Sequence, residues 1–138
     1  MTSESLAASY IAKAKVRLYV LALLLEKGAF SDVIREAQEA VELALKGMLR
    51  HRGIEPPKWH DVSDFLVEHA DRFPVAVRVA IPRLTGISKW LRKERELAFY
   101  GDIDFVPTEE YGVDEAQRAI QDATFVVTIA ESLLHAHE

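Results

Sequence analysis

From Phe30 to Arg52 the chain reads FSDVIREAQEAVELALKGMLRHR, and its apolar and charged positions recur with the 3.6-residue period of an α-helix. Ile34, Ala37, Val41, Ala44, Leu45 and Met48 fall on one side, and Arg35, Glu39, Glu42, Lys46 and Arg50 on the other. This pattern predicts an amphipathic helix with one wet face. Ala37, Ala40, Ala44 and Gly47 leave a strip without bulk along the dry side, where a second helix can approach closely. Gly47 costs a helix about 1 kcal/mol against Ala, so a packing role is expected for it. Gln38 lies inside the apolar arc, between Ile34 and Val41. An unpaired buried amide is costly, so Gln38 should hydrogen-bond to a neighbouring helix or lie at a wetter boundary.

The same periodicity marks the other elements. Leu6, Tyr10, Ala14, Leu18, Leu21 and Leu25 keep helical spacing from Ser5 to Lys27, with Gly28 placed as a stop. Ser31 or Asp32 can cap the second helix, and so short a connection predicts an antiparallel hairpin. Gly53 and Pro56-Pro57 end that helix. Asp61 is the expected cap of a short helix whose Val62, Phe65, Leu66 and His69 face inward. Pro74 and Pro82 bracket Val75–Ile81, which reads as one or two turns of helix or an irregular bridge. Pro82 suits a first helical turn, so a further helix is expected from Pro82 to Tyr100, with Leu84, Ile87, Leu91 and Ala98 inside and Lys89, Arg92, Lys93 and Glu96 outside. Gly101 stops it, an acidic loop runs from Asp102 to Gly112, and Val113, Ala116, Ile120, Ala123, Val127, Ala130 and Leu134 mark a long last helix. No strand alternation competes. The expected fold is an all-α, up-and-down bundle of four long helices plus one or two short ones, a single domain over residues 1–138.

Composition narrows the chemistry. The 138-residue chain has no cysteine, which excludes disulfides, thiolate catalysis and cysteine-ligated zinc. Its longest apolar run, Leu18 to Leu25, is far short of the roughly 20 residues of a membrane span, and the N-terminus lacks a signal-peptide pattern. A soluble, cytoplasmic protein is the default expectation. Net charge is −5 but unevenly spread: residues 72–95 carry 7 Lys/Arg against 1 Asp/Glu, and residues 96–138 carry 1 against 10. Either these segments compensate one another in the fold, or the basic face meets RNA or another polyanion.

Enzyme motifs with strong signatures are missing. There is no phosphate-cradling glycine loop, nucleophile elbow, HExxH, or carboxylate and ExxH set of the di-iron bundles. Asp102 and Asp104 are two carboxylates alone, which is solvated surface rather than a metal site, and His135 and His137 point apart on a helical tail; no metal or cofactor is expected. The remaining candidates are His60, Arg95, Tyr100 and Asp102. His60 precedes the Asp61 cap, where it can fix the helix entry or serve a ligand. Arg95 lies one turn beyond Leu91, close to the buried edge, where a guanidinium needs a carboxylate, carbonyls or an anionic ligand.

Taken together, the helix containing AQEAVELALK at 37–46, the Gly-Pro loop, His60-Asp61-Val62, and Arg95-Glu96-Leu97-Ala98-Phe99-Tyr100 closing a later helix resemble the HEPN domain family (higher eukaryotes and prokaryotes nucleotide-binding) over nearly the whole chain. The resemblance implies a helical bundle that commonly dimerises. Its prokaryotic members stand beside minimal nucleotidyltransferases in toxin-antitoxin pairs, and others are metal-independent ribonucleases. The ribonuclease branch uses an Arg followed after four to six residues by His, brought together across the dimer. Arg95 matches the arginine, but the register puts Tyr100 where His is required, and no histidine follows before His135. A phenol with a pKa of about 10 is a poor base at neutral pH. The tyrosine that is nucleotidylated in some toxins has Asp102 in its place.

Three functions follow as expectations. The first is a non-catalytic homodimeric module that binds a nucleotide, RNA or a nucleotidyltransferase through Arg95, Tyr100, Lys89, Arg92, Lys93 and His60. The second is a ribonuclease with a variant centre, Arg95 stabilising phosphorane charge and Tyr100 or His60 moving the proton. The third is a dimerisation scaffold in which Arg95 pairs with Asp102 or Asp104.

Overall fold

The computed structural model describes the backbone of residues 3–59, 61–100 and 111–136, and side chains at 4–59, 61–96 and 111–136. Those residues form an all-α bundle: α1 (Ser3–Glu26), α2 (Phe30–His51), α3 (Val62–Glu68), a 3-10 turn (Ala70–Arg72), α4 (Val75–Tyr100) and α5 (Val113–Leu134). No helix among the described residues is long and apolar enough to cross a membrane.

The central element is α2, which packs against each of the other four α-helices. All six apolar positions expected on its dry side are buried, and so is Gln38. Its charged side is only half wet: Arg35, Glu36, Glu39, Glu42, Lys46 and Arg50 are partly buried, because neighbouring helices flank that side too.

Close approach of α1 to α2 explains Gly47. A Cβ there would stand 2.6 Å from Ile11 Cγ1 and 3.1 Å from the Ala7 carbonyl oxygen, so the start of α1 lies directly on the end of α2. This pairing, with Arg17 beside Glu36 further along, is that of an antiparallel hairpin. Gly28 makes the reversal at φ 72°, a left-handed conformation that costs glycine little. The Gly28 amide donates to Leu25 O and the Ala29 amide to Leu24 O, which satisfies the last carbonyls of α1. Gly53, also at φ 72°, ends α2 in the same way, with the Ile54 amide donating to Leu49 O.

Four local expectations are corrected. The buried stripe of α1 is Ala7, Ile11, Ala14 and Leu21, whereas Leu6 and Tyr10 are half-buried. Val16, Tyr19 and Leu23 make the exposed side of α1 apolar as well, so periodicity alone does not fix its phase. The second helix already begins at Phe30 after Ala29, with no side-chain cap; Ser31 is buried in the first turn and Asp32 is exposed beside it. Phe65 and His69 are half-buried, while Val62 and Leu66 are fully inside. Finally, α4 does not start at Pro82 but runs unbroken from Val75, with the Arg78 amide donating to Pro74 O. Pro82 is exposed within it, and the buried residues Val77, Ile81, Leu84, Ile87 and Leu91 outweigh the proline's lost hydrogen bond, a cost of about 3 kcal/mol.

The hairpin contact sets a test. Gly47→Ala should gain helix propensity yet destabilise the protein by about 1–3 kcal/mol in urea titration, because the methyl meets backbone as well as Ile11. Adding Ile11→Val should recover part of that loss, and a more stable Gly47→Ala protein would show that the helices can part without cost.

Candidate functional site

Residues 72–95 hold the excess of positive charge, and the structure gives most of it local work. Arg72 donates to the carbonyl of Arg52 at the end of α2, and Arg78 Nη2 donates to Phe73 O at 3.0 Å. The Arg83 guanidinium lies 3.7 Å from the ring centroid of Phe125 on α5, while Arg118 of α5 lies 3.8 Å from that of Trp90 on α4, so two cation-π contacts tie these helices. Burial pushes the Asp122 carboxyl up, and the Arg118 and Arg83 charges oppose that shift.

Lys89 serves the same structural end. Its Nζ donates to Asp61 Oδ2 at 3.0 Å and Asp64 Oδ1 at 2.9 Å, strapping α4 to α3. Asp61 caps α3 as expected, accepting from the Ser63 amide at 3.0 Å, the Ser63 hydroxyl at 2.8 Å and the Ser88 hydroxyl at 3.1 Å. Burial raises the Asp61 pKa, but the Ser63, Lys89 and Ser88 hydrogen bonds outweigh it and hold the carboxyl below its usual 3.8.

What remains is a cluster around Gln38. The amide oxygen of Gln38 accepts from Arg95 Nη1 at 3.0 Å, and its nitrogen donates to Glu42 Oε2 one turn along α2. Glu42 Oε1 in turn lies 3.4 Å from Arg92 Nη1. The chain Arg95, Gln38, Glu42, Arg92 thus closes a loop between two helices, with Gln38 only 3% exposed at its centre. Beside it opens a hollow of about 660 Å³ lined by Arg35, Gln38, Glu42, Arg92, Lys93, Arg95 and Glu96. Four cations face two carboxylates there, so the hollow favours an anion while offering acceptors to hydrogen-bond donors.

Of the residues expected at a site, Arg92, Lys93 and Arg95 therefore meet, and Lys89 does not line the hollow. Tyr100 lies in the last turn of α4, but its side chain, like His60, Asp102 and Asp104, is outside the described residues. Arg35 and Glu42 belong to the site although their positions suggested only a solvated face. The available signal was their spacing, three and four residues from Gln38 and hence on its edge of the helix. Tyr111, in the span expected as an acidic loop, lies outside any helix and is buried, and its hydroxyl donates to Glu94 Oε2 at 2.7 Å. Burial, then the Glu94 carboxylate, pushes its pKa well above the usual tyrosine value. Tyr111 thereby ties the entry to α5 to the residue preceding Arg95.

A family model, the HEPN domain, matches residues 7–133 of this chain. The chain belongs to the HEPN domain family. Among solved structures, this HEPN chain is similar to the protein TT1696 from Thermus thermophilus, with 24% identity and a TM-score of 0.72, over 91% of this chain and 96% of that one. That likeness is one of fold. The comparison with curated proteins gives no match.

The Asp61 cap predicts acid lability with a definite sign. A carboxyl whose folded pKa is depressed stabilises the fold above its ordinary value of 3.8 and loses that contribution as pH falls through the lower folded value. Asp61→Asn should therefore flatten the fall in urea midpoint below about pH 4, and Asp61→Ala should cost about 1 kcal/mol at pH 7. An unchanged acid limb in Asp61→Asn would assign acid unfolding to other carboxylates.

Proposed function

We propose that this HEPN domain is a non-catalytic nucleotide- or RNA-binding module whose site is the hollow between α2 and α4. Family membership supports a nucleotide- or RNA-related role. The observation that carries the proposal is the guanidinium of Arg95, held by the buried Gln38 amide on the wall of a hollow where cations outnumber carboxylates. A pre-oriented guanidinium binds phosphate with less entropy lost on binding. Against the ribonuclease alternative stands the chemistry of the lining: guanidinium, ammonium, amide and carboxylate stabilise charge, and no imidazole lines the hollow among the described residues. Within the same reading, a minimal nucleotidyltransferase is the protein partner in a toxin-antitoxin-like pair, which co-purification with the product of a neighbouring reading frame would test.

The Arg95→Ala protein decides between binding and cleavage. Affinity for RNA fragments should fall about tenfold or more, and wild-type binding should weaken steeply as salt rises. Arg92→Glu with Lys93→Glu should weaken it further, whereas Lys89→Glu should act on stability rather than affinity. Incubation of the wild type with mixed cellular RNA should leave it intact. RNA cleavage that disappears in Arg95→Ala would replace this reading with the variant ribonuclease, and binding indifferent to both salt and Arg95 would leave a scaffold.

HEPN domains commonly dimerise, and the exposed side of α1 suits a second copy of this chain. Val16 is 55%, Tyr19 74% and Leu23 54% exposed, and exposed Ala8 and Ala12 continue the stripe towards the N-terminus. Its small end and large end lie on opposite sides of Val16, so an antiparallel copy would set large residues against small ones in an isologous contact. Tyr19→Glu with Leu23→Glu should leave the helical spectrum intact and convert a dimer to a monomer in sedimentation at micromolar concentration. A wild type that is already monomeric there, or a variant that stays dimeric, would remove α1 as the interface.

A further inference from the structure

The hollow at Gln38 is bounded by Arg35 and Arg95, and both side chains also line a second hollow of about 300 Å³ completed by Arg17, Glu36 and Glu39. The two side chains are thus a partition shared by two cavities. Arg17 reaches the smaller one from α1, with its Nε buried, 3.5 Å from Glu36 Oε1 and without a hydrogen-bond acceptor. The Nε itself is out of a ligand's reach, but a guanidinium oriented there by one carboxylate has its Nη donors to offer to an anion, and the side chain is 33% exposed. Three arginines face two glutamates, so this hollow too carries an excess of positive charge. It is also less than half the size of its neighbour.

We infer that the second hollow is a second phosphate subsite, and that the ligand is a single-stranded oligonucleotide laid across the Arg35 and Arg95 partition with consecutive phosphates on its two sides. This rests on the binding function proposed for the first hollow and deepens it: the site selects a strand over a mononucleotide, and Arg17 supplies the selection. A strand placed in this way shares Arg35 and Arg95 between its phosphates and adds one charge-assisted contact that a mononucleotide lacks.

The experiment is the ratio of affinities for the dinucleotide pApA and for adenosine 5′-monophosphate, measured calorimetrically on the full chain. In the wild type pApA should bind about tenfold more tightly, with a salt dependence steeper by about 0.7 in the log-log slope. Arg17→Gln should bring the ratio close to one. Glu36→Gln, which leaves Arg17 in place and removes its carboxylate, should raise the ratio, and it stands in if Arg17→Gln does not fold. Arg95→Gln should weaken both ligands. A wild-type ratio near one, or a ratio unmoved by Arg17→Gln, overturns the second subsite while Arg95-dependent binding of the mononucleotide keeps the first. Loss of any Arg95 dependence overturns the first reading, and the second with it.

Discussion

A primary amide buried inside an apolar helix face is the constraint from which the site follows. Gln38 is 3% exposed on the helix that every other α-helix packs against, so its oxygen and nitrogen must find partners within the protein. Arg95 satisfies the oxygen from α4, and Glu42 satisfies the nitrogen from α2 itself. Sliding α4 by one residue would leave the buried amide oxygen without its donor and take the Gln38 acceptor from a half-buried guanidinium, each a larger loss than the net worth of the bond. The contact that fixes α4 against α2 therefore also fixes the direction of the Arg95 side chain, and fold and site share one hydrogen bond.

How far this was legible in the sequence depended on whether an element has one dry side or two. In α2 the charges define the wet side, and the buried set follows from periodicity; of the two places open to Gln38, a bond to a neighbouring helix or a wetter boundary, the fold takes the first. Gly47 and the Asp61 cap were readable for the same reason, since each residue type has a single economical use at its position. In α1, apolar residues on both sides hide the phase, and no local rule separates Ile11 from Tyr19. Pro82 misled because its fitness for a first turn is a local preference, and a row of buried residues on both sides of it outweighs that preference. Lys89 is the same lesson for the site: its charge fitted a basic face, but only the fold reveals Asp61 and Asp64 within reach.

The family's ribonuclease chemistry joins an arginine to an imidazole. On the register that the resemblance implies, Arg95 takes the place of that arginine, held by Gln38, and the positions after four to six intervening residues hold Tyr100, Gly101 and Asp102. His69 is occupied elsewhere, its Nδ1 2.9 Å from the carbonyl of Phe65 on α3. The groups that line the hollow can neutralise a phosphate and position it, and their arrangement needs no proton transfer to be useful. Among the described residues, the guanidinium keeps its buried amide support and the lining offers charge and hydrogen-bond donors, which is the basis of the binding reading proposed above.

Charge also sets a limit on what the proposed site can recognise. The protein as a whole is acidic, at −5, so a long polyanion is repelled at a distance and gains only from local contacts. Those contacts are tempered by Glu36, Glu39 and Glu42, which α2 places among the arginines, with Arg17 beside Glu36 and Arg92 beside Glu42. An open basic trough would bind any nucleic acid in proportion to its length. Here each hollow has a small excess of cations and its own acceptors, so favourable energy accrues only where phosphate meets guanidinium and a donor meets carboxylate. Discrimination by geometry at the expense of affinity is the expected result, and a second copy or a protein partner that adds contacts to the rim would then raise affinity without loosening that discrimination.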